Sequence, residues 1–422
     1  MNQLYYLLLT CSRKARLNWM LVAVLMSGML ATGHSMAQTA TFPFPQTVTY
    51  ANGVVPTTVS SADARAAYQS WKTNYLETCA NGTVRVRFDD PAQTVSEGIG
   101  YGMILSAYYG DKVSFDGLFQ YYNNHTNGNG IMNWKIQGCT NTILGNNGAT
   151  DAELDVAFAL VVADKQWGGY TAPATSLITK IKTFETTVVN GLHILKPGDA
   201  FGGTACTNAS YFSPAYYRIF AAVVPADAVF WQNMARDTYV QIAANAHPIT
   251  GLVSDWQRAD NGTPGDAGCG ANFAFQGRRY SYDAARTPWR IGVDYLWGYT
   301  NAKPLLDKLT GFVQGPSVGG IANVKDGYEQ NGTTTGQFHT VPFVGGFAIA
   351  AMANSQTTAN TFATDLKNIN PQFDGYFGSS LRALYMLSLT GNFWNPATRS
   401  AAPVADCSGP RCLAITATRS TN

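Results

Sequence analysis

Three acidic stretches hold the side chains best suited to chemistry. In Val95-Ser96-Glu97-Gly98-Ile99-Gly100-Tyr101-Gly102-Met103, one carboxylate stands among three glycines and an aromatic ring, with no basic residue in the stretch. An anion is disfavoured in such company, so the Glu97 pKa is expected to rise until the group can donate a proton near neutral pH. Ala149-Thr150-Asp151-Ala152-Glu153-Leu154-Asp155 and Ser281-Tyr282-Asp283-Ala284-Ala285-Arg286 supply candidate partners. A raised acid plus a second, ionised carboxylate is what glycosidic bond cleavage requires: one protonates the leaving oxygen, the other supplies or activates the nucleophile. Asp283 suits the second role, because Arg286 lies three residues on, close enough on a helix to stabilise the ionised form. Each acid also has a plainer reading. Glu97 fits a first-turn helix residue placed by the macrodipole, Asp283 an N-cap with a structural ion pair, and Asp151 and Asp155 routine acids of a helix start.

The elements that must position these groups read as helices. Ser60-Ser61-Ala62-Asp63 opens a segment with Tyr68, Trp71 and Tyr75 on one face. Residues 150–167 begin with Thr150-x-x-Glu153, a capping-box pattern, and carry Leu154, Phe158 and Val161 along one stripe. Similar runs cover 101–109, 115–124, 174–188, 212–222, 228–246, 289–299, 302–312, 344–352, 358–366 and 379–389. About a dozen helices are therefore expected, joined by long Gly- and Asn-rich loops such as 191–208 and 250–279. Loops of that length in a compact domain usually carry function. No sequence repeat supports a solenoid.

Composition narrows the partners. Residues 1–37 read as a signal peptide: Arg13, Lys14 and Arg16 precede an apolar run from 17 to 33, and Ser35-Met36-Ala37 offers small residues for cleavage before Gln38. An uncleaved anchor is the alternative. Export to the periplasm or medium follows from the signal reading, with no membrane attachment after its removal. Loss of the segment takes away three cations and lowers the formal charge from +2 to −1. A nucleic-acid partner, which calls for clustered Lys and Arg, is thereby disfavoured. Charged residues make up 13% of the chain, against about 25% in an average soluble protein. Tyr, Trp, Asn, Thr, Ser and Gly fill the difference, a surface suited to a neutral, ring-shaped ligand. Cys79, Cys139, Cys206, Cys269, Cys407 and Cys412 remain after the signal, an even count that favours disulfides in an exported protein. The expected pairs are Cys79–Cys139, Cys206–Cys269 and Cys407–Cys412. Zinc is not expected, since no Cys-x-x-Cys occurs and the histidines are scattered. Residues 38–397 read as one catalytic domain and 398–422, rich in Ala, Ser, Thr and Arg, as a mobile tail.

In chain order, Ser96-Glu97-Gly98-Ile99-Gly100-Tyr101-Gly102-Met103, then Ala149-Thr150-Asp151-Ala152-Glu153-Leu154-Asp155-Val156-Ala157, then Tyr282-Asp283-Ala284-Ala285-Arg286 resemble the three signature blocks of glycoside hydrolase family 8. Gly128-Asn129-Gly130-Ile131-Met132-Asn133-Trp134, Leu195-Lys196-Pro197-Gly198-Asp199, Ser210-Tyr211-Phe212-Ser213-Pro214-Ala215 and Gly375-Tyr376-Phe377-Gly378-Ser379-Ser380-Leu381-Arg382 extend the likeness from Ala51 to Asn395. It is nearest to the secreted endoglucanases of that family.

The resemblance implies an all-α (α/α)6 barrel of six inner and six outer helices, its long loops forming an open substrate cleft. It also implies a monomeric, inverting, endo-acting hydrolase of β-1,4-linked polysaccharide, cellulose-type glucan first, without metal or cofactor. Carried over position by position, Glu97 becomes the general acid and Asp283 the general base that activates water. Asp151 would lie below the sugar at the cleavage point. Tyr211, Tyr282 and Arg286 would position the sugar, the water and Asp283. Trp134 matches a stacking position, and the Gly-rich loop before it favours exposure over a core place. Phe201 and Tyr376 complete the expected substrate-binding set. Phe201 departs from the family, whose endoglucanases carry Trp before the Gly-Gly that is Gly202-Gly203 here. Asp374 and Phe377 stand where tyrosines are expected.

Xylan is the runner-up substrate, and chitosan ranks lower because a cationic polymer wants a more acidic cleft. A non-catalytic carbohydrate-binding protein would need the aromatics without the carboxylates, and a polysaccharide lyase would want a basic cleft. Glucan degradation and the trimming of cellulose during its export share the same cleavage step.

Overall fold

The computed structural model describes residues 38–203, 205–265 and 276–399. Twelve helices occur among them: α1 (Ser61–Tyr75), α2 (Ser96–Tyr109), α3 (Lys112–Asn124), α4 (Thr150–Trp167), α5 (Thr171–Phe184), α6 (Pro214–Val223), α7 (Ala228–Asn245), α8 (Thr287–Leu296), α9 (Lys303–Gln314), α10 (Val341–Ala351), α11 (Gln356–Asn368) and α12 (Gly375–Leu389). Their burial divides them into two sets. Every residue of α8 and α10 is buried, and α2, α4, α6 and α12 are buried nearly throughout. A helix apolar on all sides must be enclosed on all sides. The odd-numbered helices bury a single stripe; α9, for instance, buries Leu306, Leu309, Thr310, Phe312 and Val313.

Packing turns these two sets into two rings. The six even helices touch in the order α2, α4, α6, α8, α10, α12, and α12 returns to α2. Each is covered outside by the odd helix that follows it, while α1 covers α12 and so closes the outer ring. This is the (α/α)6 barrel expected from the sequence. The segment before α1 ties the seam further: Val48 N–H donates to the Gly391 carbonyl at 2.8 Å and Gln46 N–H to Asn392 Oδ1 at 2.8 Å.

Local chemistry explains where helices begin and end. Ser60 and Asp63 form a reciprocal capping box at the start of α1. Pro214 occupies the first turn of α6, where its missing N–H costs nothing. Two expectations shift. Residues 174–188 do not continue as helix: α5 stops at Phe184, and β-branched Thr186-Thr187-Val188-Val189 pair as a strand with Leu192–Leu195. The Thr150-x-x-Glu153 box does not form. Ala149 is the N-cap residue without a side-chain bond, the Thr150 hydroxyl faces buried Glu185, and Glu153 turns into the interior.

Short antiparallel strands dress one end of the barrel. β1 (Leu76–Thr78) pairs with β2 (Val84–Val86), and β3 (Thr94–Val95), β4 (Lys135–Ile136) and β5 (Ile143–Gly145) form a three-stranded sheet. β6 (Thr186–Val189) pairs with β7 (Leu192–Leu195), and β8 (Cys206–Asn208) with β9 (Trp256–Arg258). A Cys79–Cys139 disulfide joins the first two groups, as expected. Closing a loop of 60 residues stabilises such a fold by about 2–4 kcal/mol. Cys269, Cys407 and Cys412, which the other two expected bridges require, lie outside the described residues. So do residues 1–37, expected to be a signal peptide, and all but the first two residues of the expected 398–422 tail. No helix among the described residues is long and apolar enough to cross a membrane.

Candidate active site

The candidate residues gather at the N-terminal ends of the inner helices. Glu97 is the second residue of α2 and Asp151 the second of α4. Tyr211 and Ser210 precede α6, Asp283 and Arg286 precede α8, and Tyr376 opens α12. Positive helix ends therefore converge on the site, and the macrodipole reading of Glu97 and Asp151 holds together with the chemical one. The glycines around Glu97 allow the convergence. A β-carbon on Gly98 would lie 2.9 Å from the Tyr376 hydroxyl, and one on Gly100 would lie 2.9 Å from Asp155 Cβ.

One guanidinium organises the carboxylates. Arg286 Nη1 donates to Glu97 Oε2 at 2.6 Å and to Asp151 Oδ2 at 2.8 Å, while Nη2 donates to Asp283 Oδ1 at 2.7 Å. Nη2 also reaches Ser210 Oγ at 2.9 Å, and the rings of Tyr211 and Phe377 stand 5.4 and 5.7 Å from the guanidinium carbon. One helical turn deeper, Arg290 holds Asp155 through two bonds of 2.5 and 2.8 Å. Asp-x-x-x-Asp on α4 thus faces Arg-x-x-x-Arg at the start of α8, a two-rung ladder in which both sides repeat every four residues. The expectation that Glu97 has no cation nearby is corrected: none is close in sequence, but Arg286 arrives from 189 residues away.

Burial still dominates the acid. Desolvation raises the Glu97 pKa; the Arg286 charge and the Tyr376 hydroxyl, which donates to Glu97 Oε1 at 3.0 Å, oppose the rise. Asp151 is pushed up to about 7 by burial, with Arg286 working against it and Glu97 adding to it. Exposure then separates the roles. Side chains are 36% exposed at Asp283, 20% at Glu97 and 3% at Asp151, so the first two meet the cleft and the third lies beneath. Asp283 holds the N-cap position and the expected ion pair with Arg286, but its side chain makes no cap bond to the turn that follows it.

The aromatic residues divide. Trp134 and Phe201 are exposed and, with Tyr211, Trp256, Pro197 and Asn147, line a cavity of about 400 Å³. Trp134 is tied to the start of the helix that carries Glu97, since its carbonyl accepts from Ser96 N–H at 2.9 Å. Tyr282 is exposed outside that cavity and donates to Asp326 at 2.8 Å. Tyr376 is buried and spends its hydroxyl on Glu97, so it serves the acid and presents no open face to a sugar. Asp374 forms a buried ion pair with Arg382, which accounts for a carboxylate in place of the expected tyrosine.

Sequence reasoning passed over three groups. Ser210 and Tyr101 complete the shell of Arg286, and Asp255 binds the segment that carries Asp283. Ser210 lay within a quoted motif, whereas Asp255 sits in a long loop with no local signal.

The Asp151 shift sets a sign for stability. Between about pH 4 and pH 7 the folded state keeps a proton on Asp151 that the unfolded chain releases, so this group's stabilising share is lost as pH rises through that window. Asp151→Asn should therefore gain stability relative to the parent as pH rises from 4 to 8, on the order of 2–4 kcal/mol. Thermal melts across that range read it, and a pH-independent offset would defeat the assignment.

A barrel whose inner helix ends present a desolvated acid and a solvent-open carboxylate, braced by one arginine beside an aromatic-lined hollow, defines a two-carboxylate glycoside hydrolase. The profile of glycosyl hydrolases family 8 matches residues 42–391, and the chain belongs to that family, whose members invert the anomeric centre. It is 36% identical over 409 residues to Endoglucanase C of Ruminiclostridium cellulolyticum, covering 92% of this chain and 85% of the relative. Endoglucanase A of Acetivibrio thermocellus is 35% identical, with 89% and 80% covered. Among solved structures, the beta-1,3-1,4-glucanase of Paenibacillus sp. X4 superposes with a TM-score of 0.76 at 30% identity, covering 84% of this chain and 99% of that one.

Proposed function

We propose that the protein is an exported inverting endo-1,4-β-glucanase, with residues 38–397 as its catalytic domain. The observation that carries the reading is the placement of Glu97 and Asp283 on different nitrogens of Arg286, one largely buried and one open. Protonated Glu97 gives its proton to the glycosidic oxygen as the C1–O bond breaks. A water attacks C1 from the opposite face, and Asp283 takes the proton that this water sheds. The sugar leaves with inverted configuration; Asp283 returns its proton to solvent and Glu97 is reprotonated. Asp151 beneath the cleft holds sugar hydroxyls, and Trp134, Phe201, Tyr211 and Tyr282 offer faces or hydroxyls to successive residues of the chain. The resemblance to proteins named endoglucanases supports glucan over xylan here, while the exo-oligoxylanase Rex8A is more distant, at 27% identity over 217 residues.

The test follows products by NMR from soluble β-1,4-glucan and from xylan. Newly formed α-anomers from glucan, with an early fall in viscosity, are expected. Initial β-anomers would overturn inversion, and release from xylan alone would overturn the substrate.

A further inference from the structure

Asp283 stands at the N-cap position of the helical turn Ala284–Arg286, where an aspartate ordinarily accepts from a backbone N–H of the first turn. It makes no such bond. The segment is held instead by Asp255, just before β9. Asp255 Oδ1 accepts from Ala284 N–H at 2.7 Å and from Ser281 N–H at 3.0 Å, bracketing Asp283 on both sides. Its own N–H donates to the Arg279 carbonyl at 2.8 Å, so side chain and backbone grip the same segment. From the other side, Tyr280 exchanges two backbone bonds with Tyr328, at 2.9 and 3.0 Å. Asp255 is 8% exposed.

We propose that Asp255 is a positioning residue that clamps the backbone on both sides of Asp283 and so holds the Asp283 carboxylate in place for the attacking water. The inference rests on the reading of Asp283 as base. Without Asp255, Ser281 N–H and Ala284 N–H, on either side of Asp283, lose their acceptor. The backbone that carries the Asp283 carboxylate would then be free to shift relative to Arg286 and the cleft. The charged and titratable groups facing Asp255 are Asp283, Arg286 and Tyr280. Burial first and the Asp283 charge second raise its pKa well above the carboxylate range, so an uncharged acceptor of the same shape is a fair substitute.

The experiment compares D255A, D255N, D283N and D255A/D283N on soluble β-1,4-glucan, each checked for folding by circular dichroism. D255A should lose about 10²-fold in kcat with KM within a few-fold, the size expected when a reacting group is misplaced by about 1 Å. D255N, which keeps the acceptor oxygen, should stay within about threefold of the parent. The double variant should be no slower than D283N, because Asp255 acts through Asp283. A folded D255A with a normal kcat, a D255N as slow as D255A, or additive losses would each overturn the inference. If D255A does not fold, D255S takes its place. Failure of the underlying reading looks different: D283N itself would keep near-normal turnover.

Discussion

Glu97→Gln should lower kcat on β-1,4-glucan by about 10²–10⁴-fold, the usual contribution of a general acid. The fold should survive. Glutamine still accepts from Tyr376, and Arg286 keeps its bonds to Asp151 and Asp283. What disappears is the proton. Burial raises the Glu97 pKa against the opposing Arg286 charge, which favours the proton that the proposed mechanism passes to the departing sugar oxygen. Two companion measurements separate this from a binding defect. An aryl β-cellobioside whose leaving group needs no protonation should lose far less rate than the polymer. The fall of kcat/KM as pH rises through the raised Glu97 pKa should vanish in the variant. A variant that loses both substrates equally, or keeps that alkaline limb, would remove Glu97 as the acid.

Asp283→Asn should cut turnover by a similar 10²–10⁴-fold while cello-oligosaccharide affinity changes only a few-fold. The carboxylate is the most open of the three acids on Arg286, and its replacement keeps an oxygen for Nη2. An amide cannot take a proton from water, so the nucleophile is left unactivated. A small anion such as azide needs no deprotonation, and it should restore turnover and yield the inverted α-glycosyl azide. Near-normal hydrolysis by the variant, or a β-azide, would defeat the assignment. The Arg286 pairing also separates these two variants from Arg286→Ala, which would release three carboxylates at once and cannot isolate one role.

Much of this was legible in the residues themselves. All twelve helices announce themselves by apolar spacing, and 150–167 matches α4 end to end. Helix boundaries were less visible where packing overrides local preference. α2 begins at Ser96 instead of Tyr101 because Gly98 and Gly100 let it approach Tyr376 and α4 closely, a gain that appears only when the neighbours are in place. Thr150 and Glu153 spell a capping box, yet an inner helix enclosed on every side turns that glutamate inward.

The sequence alone determined which side chains are available: a glutamate free of local cations, an aspartate three residues before an arginine, a pair of acids four apart, and an even set of cysteines after residue 37. These are properties of spacing along one chain, and helix periodicity translates them directly into shared faces. Only the tertiary structure decided how they are used. Arg286 meets Glu97 and Asp151 because the barrel brings α2, α4 and α8 to one ring of N-termini, across 189 and 135 residues of chain. Burial there, and not the local peptide, sets the pKa of Glu97 and Asp151, since desolvation depends on every element that excludes water. Tyr376 became a partner of the acid, and Asp255 a clamp on another segment's backbone, for the same reason. Hydrogen bonds between distant elements are chosen by proximity after folding, and no local pattern encodes them.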